Sequence, residues 1–247
     1  MSAHPAEVKI TVVVPLYNEE ENLPILTPRL IDVLNGLREP FEIIFVDDGS
    51  TDKSPEILRS MTAQHPYLRI LRLKENRGLS TALLAGMKEA RGKIIVTLDS
   101  DLQNDPADIP KLIAYLGDYD MATGWRQKRE DPWLKKLSSK IANSVRNRLS
   151  GETIKDSACT LRAFKRECIQ NIPVFNGMHR FLSTLVKMEG YRIIEVPVFH
   201  HPRKFGESKY NIRNRMVRSF IDLLAVRWMK NRRIQYEIEE RTGDGLD

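Results

Sequence analysis

The chain has 247 residues, of which 41% are hydrophobic and 29% are charged, a balance typical of globular rather than disordered proteins. The net charge of +6 favours a partner that carries phosphate, but no nucleic-acid-binding motif or aromatic stacking platform accompanies it, so we expect no nucleic acid partner. No window approaches the roughly 18 apolar residues of a membrane span, and the N-terminus lacks the apolar core of a secretory signal.

Short apolar strands alternate with amphipathic helices in the first half of the chain. The pattern predicts strands at 9–16, 41–48, 68–73 and 93–99, with helices ending near 37 and 64 and others over 79–90 and 108–116, followed by YDMATG at 119–124. Such alternation is typical of a parallel sheet that is covered on both faces. The strand at 93–99 is the most apolar, so we expect it to lie at the centre of the sheet.

The second half is basic and predicted to be mainly helical from about residue 125, with one more strand at 191–200. We expect one domain over 1–210, followed by a basic amphipathic helix and an acidic tail over 211–247. The helix is predicted to place its apolar residues largely on one stripe: Ile212, Met216, Phe220, Leu223, Leu224 and Trp228. Two alternatives are open for it, namely packing on the domain and lying on a membrane surface.

Acidic and amide residues follow three of the predicted strands, in PLYNEEEN, DDGSTD and DSDLQNDP. In an open α/β sheet, ligands bind beyond the carboxyl ends of the strands. Asp99 and Asp101 are two residues apart, so they are expected to point the same way and crowd each other, with Gln103 next in reach. An isolated Asp-x-Asp also fits a solvated turn. Three converging clusters instead predict a Mg²⁺ or Mn²⁺ ion that brings a phosphate with it.

These motifs, together with ENRGLSTALLAGMKEARG, resemble the successive motifs of the family-two glycosyltransferases. The segment HRFLSTLVKMEGYRIIEVPVFHHPRKFGESKY resembles the branch that contains the dolichyl- and polyprenyl-phosphate mannosyltransferases. The resemblance implies an α/β GT-A fold, with a mostly parallel central sheet flanked by helices. It also implies inverting, metal-dependent transfer of a hexose, with mannose favoured, from a nucleoside-diphosphate sugar to a polyprenyl phosphate. GDP-mannose is the favoured donor and a UDP-sugar the alternative. The resemblance also implies a protein bound peripherally at the cytoplasmic face of a membrane.

Position by position, the resemblance also implies which residues form the site. The implied donor-binding residues are Pro15, Tyr17, Asn18, Glu19, Val46, Asp48, Asn76, Gly78, Asp99, Ser100, Asp101, Gln103, Arg126, Arg203 and Lys209. Asp99, Asp101 and Gln103 are the implied metal ligands, and the implied catalytic set is Asp99, Asp101, Arg126, Arg203 and Lys209. The acceptor phosphate is assigned to Lys136, Ser139, Arg203, Ser208 and Lys209.

The acceptor is the less determined half of the reaction. A phosphate acceptor is ionised near neutral pH and needs no general base, whereas a hydroxyl acceptor needs one. Relatives that glycosylate hydroxyls tend to carry an acidic pair where this chain has Met178, His179 and Arg180, and Asp156 is the one spare carboxylate. A hydroxyl acceptor and a non-catalytic nucleotide-sugar-binding protein remain the alternatives.

Four residues outside these sets complete the predictions. Cys159 and Cys168 form no metal-ligand pattern and are expected to be ordinary thiols. His200 and His201 adjoin a strand without a third ligand at suitable spacing, so we expect structural roles for both. The chain departs from the family pattern in KKLSSKIAN, where many relatives have an arginine, and in CTLRAFKR, where Gly-Phe-Arg is usual.

Overall fold

The computed structural model describes residues 7–126, 154–205 and 212–234, with side chains in the last segment described from Arg218 onward. The strands are β1 (Ile10–Leu16), β2 (Phe41–Asp47), β3 (Leu68–Arg72), β4 (Ile94–Thr97), β5 (Met121–Arg126), β6 (Arg162–Lys165) and β7 (Ile193–Val198). The α-helices are α1 (Leu23–Gly36), α2 (Ser54–Gln64), α3 (Leu79–Glu89), α4 (Ile109–Ala114), α5 (Leu182–Met188) and α6 (Ile212–Arg232).

The seven strands form one sheet in the order β3-β2-β1-β4-β6-β5-β7. Strand β6 is antiparallel to β4 and to β5, whereas the other pairs are parallel. Strand β4 is fourth of the seven, which confirms its predicted central position. All seven residues of β1 are buried, as expected for a parallel strand covered on both faces.

Helices cover both faces of the sheet, which confirms the predicted α/β architecture of a mostly parallel sheet flanked by helices. On one face, Leu23 and Leu30 of α1 and Leu112 of α4 pack with β1 and β2. On the other face, Leu83 of α3 and Leu185 of α5 pack with Val13 and the strands beside it. The two apolar clusters leave the carboxyl ends of the parallel strands as the polar edge of the sheet.

Strand β6 is absent from the sequence prediction, which placed basic helical structure after residue 125. Its four residues, RAFK, are too short and too interrupted by charge for a strand pattern. The strand forms because it pairs on both sides, with Ala163 opposite Val96 of β4 and Ala122 of β5. Pairing with β4 and β5 therefore stabilises a strand that local β-propensity does not predict.

The predicted helix at 108–116 is α4 flanked by two single 3₁₀ turns, at Pro106–Asp108 and Tyr115–Gly117. Helix α6 does pack on the domain, because Leu223 and Val226 are buried in the same cluster as α3 and α5. The predicted apolar stripe is corrected here, since Leu223 lies on the inner face while Phe220, Leu224 and Trp228 are exposed. No helix in the described segments is long and apolar enough to cross a bilayer.

Candidate active site at the strand ends

The carboxyl ends of the six parallel strands meet at one edge of the sheet, and β6 begins at that edge. The structure brings there the loops after β1, β2, β3 and β4, which carry most of the implied donor-binding residues. Arg126 ends β5, and Arg203 follows β7. Four implied site residues lie outside the described residues: Lys136, Ser139, Ser208 and Lys209.

The loops after β1 and β2 are hydrogen-bonded to each other. The backbone amide of Asn18 donates to Ser50 Oγ at 2.9 Å, and the amide of Thr51 donates to Asn18 Oδ1 at 2.8 Å. The amide of Glu19 donates to Ser54 Oγ at 2.9 Å. Asn18 has a φ of 54°, a left-handed conformation that asparagine adopts more readily than most residues. These bonds fix the conformation of the loop after β1, in which Tyr17 is half-buried.

Asp48 fixes the loop that follows β3. Its buried carboxylate accepts hydrogen bonds from the amides of Arg77 at 2.7 Å and Gly78 at 2.8 Å. Gly49 has a φ of +73°, and a Cβ there would lie 2.7 Å from the carbonyl carbon of Glu75. A glycine is therefore required where the loops after β2 and β3 touch.

Two implied donor-binding residues belong to the interior rather than to the loops. Pro15 is buried within β1, where it lies opposite Val46 of β2. The Val46 side chain is fully buried in the cluster that contains Val13 and Ile44. The side chains that the edge presents at this point therefore come from the residues that follow the strands.

The Asp-x-Asp motif follows β4 after one buried residue, Leu98, with Ser100 buried and Leu102 in a left-handed conformation at a φ of 60°. Burial, and secondarily the charge of Asp101, raise the pKa of Asp99 to about 6, although a hydrogen bond with Thr160 and the charge of Arg162 lower it. Asp101 Oδ1 accepts from the amide of Gln103 at 3.1 Å. Two carboxylates that repel each other in a partly dry site favour a bound cation, because its charge offsets their repulsion.

The segment after β7 lies along the Asp-x-Asp loop. Arg203 Nη2 is 2.6 Å from Asp101 Oδ2, and the Arg203 side chain is about one third exposed. The amide of His201 donates to the carbonyl of Gln103 at 2.8 Å, and His201 Nε2 lies 3.1 Å from Asp105 Oδ2. His200 forms an isolated bridge with Asn104. The histidines thus hold Arg203 against the acidic loop, which fits the structural roles expected for them.

Arg126 is held by the carboxylate that the sequence left unassigned. Its Nε is 2.7 Å from Asp156 Oδ2 and its Nη2 is 2.9 Å from Asp156 Oδ1, a two-point pairing in which both side chains are nearly buried. The Arg126 amide also donates to Asp156 Oδ2, at 3.2 Å. Such bidentate pairs fix the plane of the guanidinium as well as its position.

Arg162 is a site residue that the sequence analysis did not single out. It begins β6, is 1% exposed, and donates from Nη2 to the carbonyl of Ser157 at 3.1 Å. Burial lowers its pKa, while the charges of Cys159, Asp99 and Asp156 raise it. A signal was present in CTLRAFKR, where Arg162 interrupts an apolar run that is otherwise suited to burial. Neighbouring Cys159 is an ordinary buried thiol, with a pKa raised by burial to about 11.

The oxygen donors at this edge suit a hard divalent ion that shares its coordination with phosphate. In the described segments, no three His, Cys, Asp or Glu side chains gather closely enough to hold a metal by themselves. The implied ligands at this edge are the carboxylates of Asp99 and Asp101 and the side-chain amide oxygen of Gln103. Mg²⁺ commonly binds through one or two carboxylates, with substrate phosphates and water as its other ligands.

Several solved structures share this fold at low sequence identity. Glucosyl-3-phosphoglycerate synthase from Mycobacterium tuberculosis, in complex with Mn²⁺, UDP and phosphoglyceric acid, matches with a TM-score of 0.68 and 21% identity over 90% of this chain and 79% of that one. Mannosyltransferase PcManGT from Pyrobaculum calidifontis, in complex with GDP-Man and Mn²⁺, matches with a TM-score of 0.60 and 23% identity over 95% and 67%. TarS from S. aureus matches with a TM-score of 0.62 and 16% identity over 93% and 67%.

Family membership rests on a separate comparison. The family described as glycosyl transferase family 2 matches residues 11–172, which run from β1 through β6 and include the acidic loops after β1, β2 and β4. The match covers about two thirds of the chain. With the acidic edge, the parallel sheet and this match in agreement, the chain belongs to glycosyl transferase family 2.

Proposed function

We propose that this chain transfers a hexose, with mannose favoured, from a nucleoside-diphosphate sugar to a polyprenyl phosphate, with inversion at the anomeric carbon. The observation that carries the proposal is the contact between Asp101 and Arg203 at the polar edge of the sheet. It joins a carboxylate suited to a metal with an arginine suited to a phosphate. The donor diphosphate and the acceptor phosphate both need cationic groups at that point.

The donor half of the proposal concerns the metal and the diphosphate. Asp99, Asp101 and Gln103 would hold Mg²⁺ or Mn²⁺, which supplies Lewis-acid stabilisation of the leaving diphosphate. PcManGT with GDP-Man and Mn²⁺, and the synthase with Mg²⁺ and UDP, are similar proteins in which a metal accompanies such a nucleotide. GDP-mannose is the favoured donor here and a UDP-sugar the alternative.

The remaining donor contacts come from the protein. Arg203 adds a charge-assisted contact to the diphosphate, and Arg126 adds a second, with its guanidinium oriented by Asp156. Tyr17, Asn18 and Glu19 would form the nucleotide side of the site together with Asp48. The hydrogen bonds among these loops keep that side preorganised, so little ordering is needed when the nucleotide binds.

The acceptor half rests on Asp156 and on the turn at Met178–Arg180, as the described residues show them. Asp156, the spare carboxylate, is engaged at two points by Arg126 and is therefore a poor general base for a hydroxyl acceptor. The turn at Met178–Arg180 presents His179, whose Nδ1 lies 2.6 Å from Ser80 Oγ, and Arg180, which pairs with Asp222. A phosphate acceptor needs no base, so it fits these surroundings better than an alcohol does.

The segment around Arg203 also suits an acceptor that is charged at one end and apolar elsewhere. Phe199 is 71% exposed and Phe205 is 37% exposed, and they lie on either side of Arg203 and Lys204 in the chain. Exposed aromatic side chains beside a phosphate-binding arginine match a phosphate esterified to an isoprenoid. We accordingly place the protein at the inner face of a membrane, peripherally bound.

Substitution of Asp101 tests the proposal. Asp101→Ala should lower transfer at least about a hundredfold, as expected when a principal electrostatic stabiliser is lost. Asp118→Ala, which removes an exposed carboxylate just before the amino end of β5, is the matched control and should transfer normally. Undiminished transfer by Asp101→Ala would overturn the metal assignment. Tight nucleotide-sugar binding by the wild type without transfer to any acceptor would indicate a non-catalytic binding protein instead.

A further inference from the structure

Helix α6 is attached to the domain by one face. Leu223 and Val226 are buried, and Arg180 Nη2 lies 2.6 Å from Asp222 Oδ2. Just beyond the helix, Arg233 Nη2 lies 2.9 Å from Glu189 Oε2. Apolar burial flanked by two ion pairs fixes which side of α6 faces the protein.

The opposite side of α6 carries large apolar side chains that the protein does not cover. Phe220, Leu224 and Trp228 are 51%, 46% and 64% exposed, and their spacing of four residues aligns them along one stripe. Ile221 borders the stripe and is 58% exposed. Single exposed apolar residues are common on protein surfaces, whereas an aligned set on one helix indicates an interaction surface.

The charges around this stripe are of one sign. Arg218, Arg227, Lys230 and Arg232 are exposed along residues 218–234. Asp222 is the acidic residue of that stretch, and its carboxylate is turned inward to Arg180. The exposed part of the helix thus combines an apolar stripe with a cationic border, which is the pattern of helices that lie in the headgroup region of anionic bilayers.

We propose that the outward face of α6, defined by Phe220, Ile221, Leu224 and Trp228 with Arg218, Arg227, Lys230 and Arg232, binds the surface of an anionic lipid bilayer. The inference rests on the proposed function in one respect, namely that a lipid acceptor gives this surface its use. A protein partner would also cover apolar side chains. The cationic border favours phospholipid because anionic headgroups match it along the whole length of the face.

Contacts connect the inner side of α6 to the candidate active site. Arg180, the partner of Asp222, belongs to the turn whose Gly177 amide donates to Ser80 Oγ at 2.8 Å. Ser80 lies in the first turn of α3, which begins after Gly78, and the Gly78 amide donates to Asp48. A bilayer bound by α6 would therefore lie on the side of the domain that adjoins the nucleotide loops. An isoprenoid phosphate could then reach the site without leaving the membrane.

Vesicle partitioning of the full chain tests the inference. The probe is a phosphatidylcholine vesicle with a minority of phosphatidylglycerol and no polyprenyl phosphate. Leu224→Glu and Trp228→Glu should each weaken the partition coefficient at least about tenfold, because each removes a large exposed apolar group that would enter the bilayer and adds an unfavourable charge. Arg227→Gln should weaken it about fivefold, an effect that should disappear with pure phosphatidylcholine.

Val174→Glu is the matched control, because Val174 is 56% exposed and lies outside α6. It should bind vesicles as the wild type does. Unchanged binding by Leu224→Glu and Trp228→Glu, with circular dichroism showing a folded protein, would overturn the inference. So would a wild type that does not bind vesicles but forms a concentration-dependent dimer that Trp228→Glu abolishes, since a second copy would then cover the face.

Transfer to a short, water-soluble isoprenyl phosphate separates this inference from the proposed function. If Trp228→Glu transfers normally to that acceptor but no longer binds vesicles, the α6 surface is established. If the wild type binds vesicles through α6 but transfers to no phosphate acceptor, the surface stands and the proposed acceptor is wrong.

Discussion

Arg203 Nη2 lies 2.6 Å from Asp101 Oδ2, so the arginine proposed for the diphosphate pairs with a carboxylate proposed for the metal. The two residues are 102 positions apart, and the His201–Gln103 backbone hydrogen bond keeps their segments together. A divalent cation at Asp101 would compete with the Arg203 guanidinium for the same oxygen. Release of Arg203 would then leave it available to the diphosphate that accompanies the metal.

This competition predicts opposite effects of one substitution on metal binding and on transfer. Arg203→Gln should tighten Mn²⁺ binding to the nucleotide-free protein, because no guanidinium remains to be displaced. An ion pair worth roughly 1 kcal/mol corresponds to about fivefold tighter binding. The same variant should lower transfer about a hundredfold. Titration calorimetry with Mn²⁺ measures the first effect, with Lys204→Gln as the control. Weaker Mn²⁺ binding by Arg203→Gln would contradict the competition.

Asp99 should make the metal-free protein less stable as the pH rises. Its pKa is raised from 3.8 to about 6 in the folded protein, so the unfolded chain releases this proton first. Stability is therefore lost between about pH 4 and pH 6 and stays lost above that range. Asp99→Asn should increase the free energy of unfolding at pH 7 by up to about 3 kcal/mol, and little at pH 4.

Urea unfolding of metal-free protein at the two pH values measures this difference, with Asp118→Asn as the control. The stabilised variant should have lost transfer, because Asp99 is a proposed metal ligand. An Asp99→Asn protein less stable than the wild type at pH 7 would show that the raised pKa has been assigned to the wrong group.

Asp156→Asn should damage both stability and transfer. It leaves the nearly buried Arg126 guanidinium without its charged partner, which costs about 3 to 5 kcal/mol in comparable buried pairs. The exposed pair formed by Arg59 and Glu56 provides the control, since Glu56→Gln should change the free energy of unfolding by less than about 1 kcal/mol. Equal effects of the two substitutions, measured by urea unfolding, would refute the structural role of Asp156.

Gly49→Ala should destabilise the nucleotide side of the site. A Cβ at this positive-φ position would meet the backbone of Glu75 and Asn76, so we expect a loss of about 1 to 3 kcal/mol together with weaker nucleotide binding. Gly36→Ala is the matched control, because Gly36 ends α1 with no atom within 4 Å of the added carbon. That variant should be as stable as the wild type or slightly more so. Wild-type nucleotide affinity in Gly49→Ala would contradict the requirement for glycine.

The sequence predicted β1, β2 and β4 because each contains a run of three or more apolar residues. The buried runs of β1, β2 and β4 indicate parallel strands, and the polar residues after them indicate that ligands bind at that edge of the sheet. Strand β6 was not predicted because its four residues show no strand periodicity and form a strand only by pairing with β4 and β5. Leu223 was placed on the same stripe as Phe220, Leu224 and Trp228 because an apolar pattern does not show which apolar residues meet the domain.

The partners of the charged residues were the least predictable part of the site. Asp156 binds Arg126 across 30 positions, and Arg162 enters the site from a strand that was not predicted. No local pattern encodes such pairs, because they depend on how distant segments meet. The residue types were readable from the sequence, whereas the contacts that orient them required the fold.

Release of nucleoside diphosphate in the presence of Mg²⁺ or Mn²⁺ tests the central claim most directly. A panel of GDP- and UDP-sugars would be offered with a polyprenyl monophosphate and, separately, with the matching polyprenol. We predict release with the monophosphate alone, with GDP-mannose as the preferred donor. Release with the polyprenol, or with neither lipid despite metal-dependent nucleotide binding, would contradict transfer to a lipid phosphate.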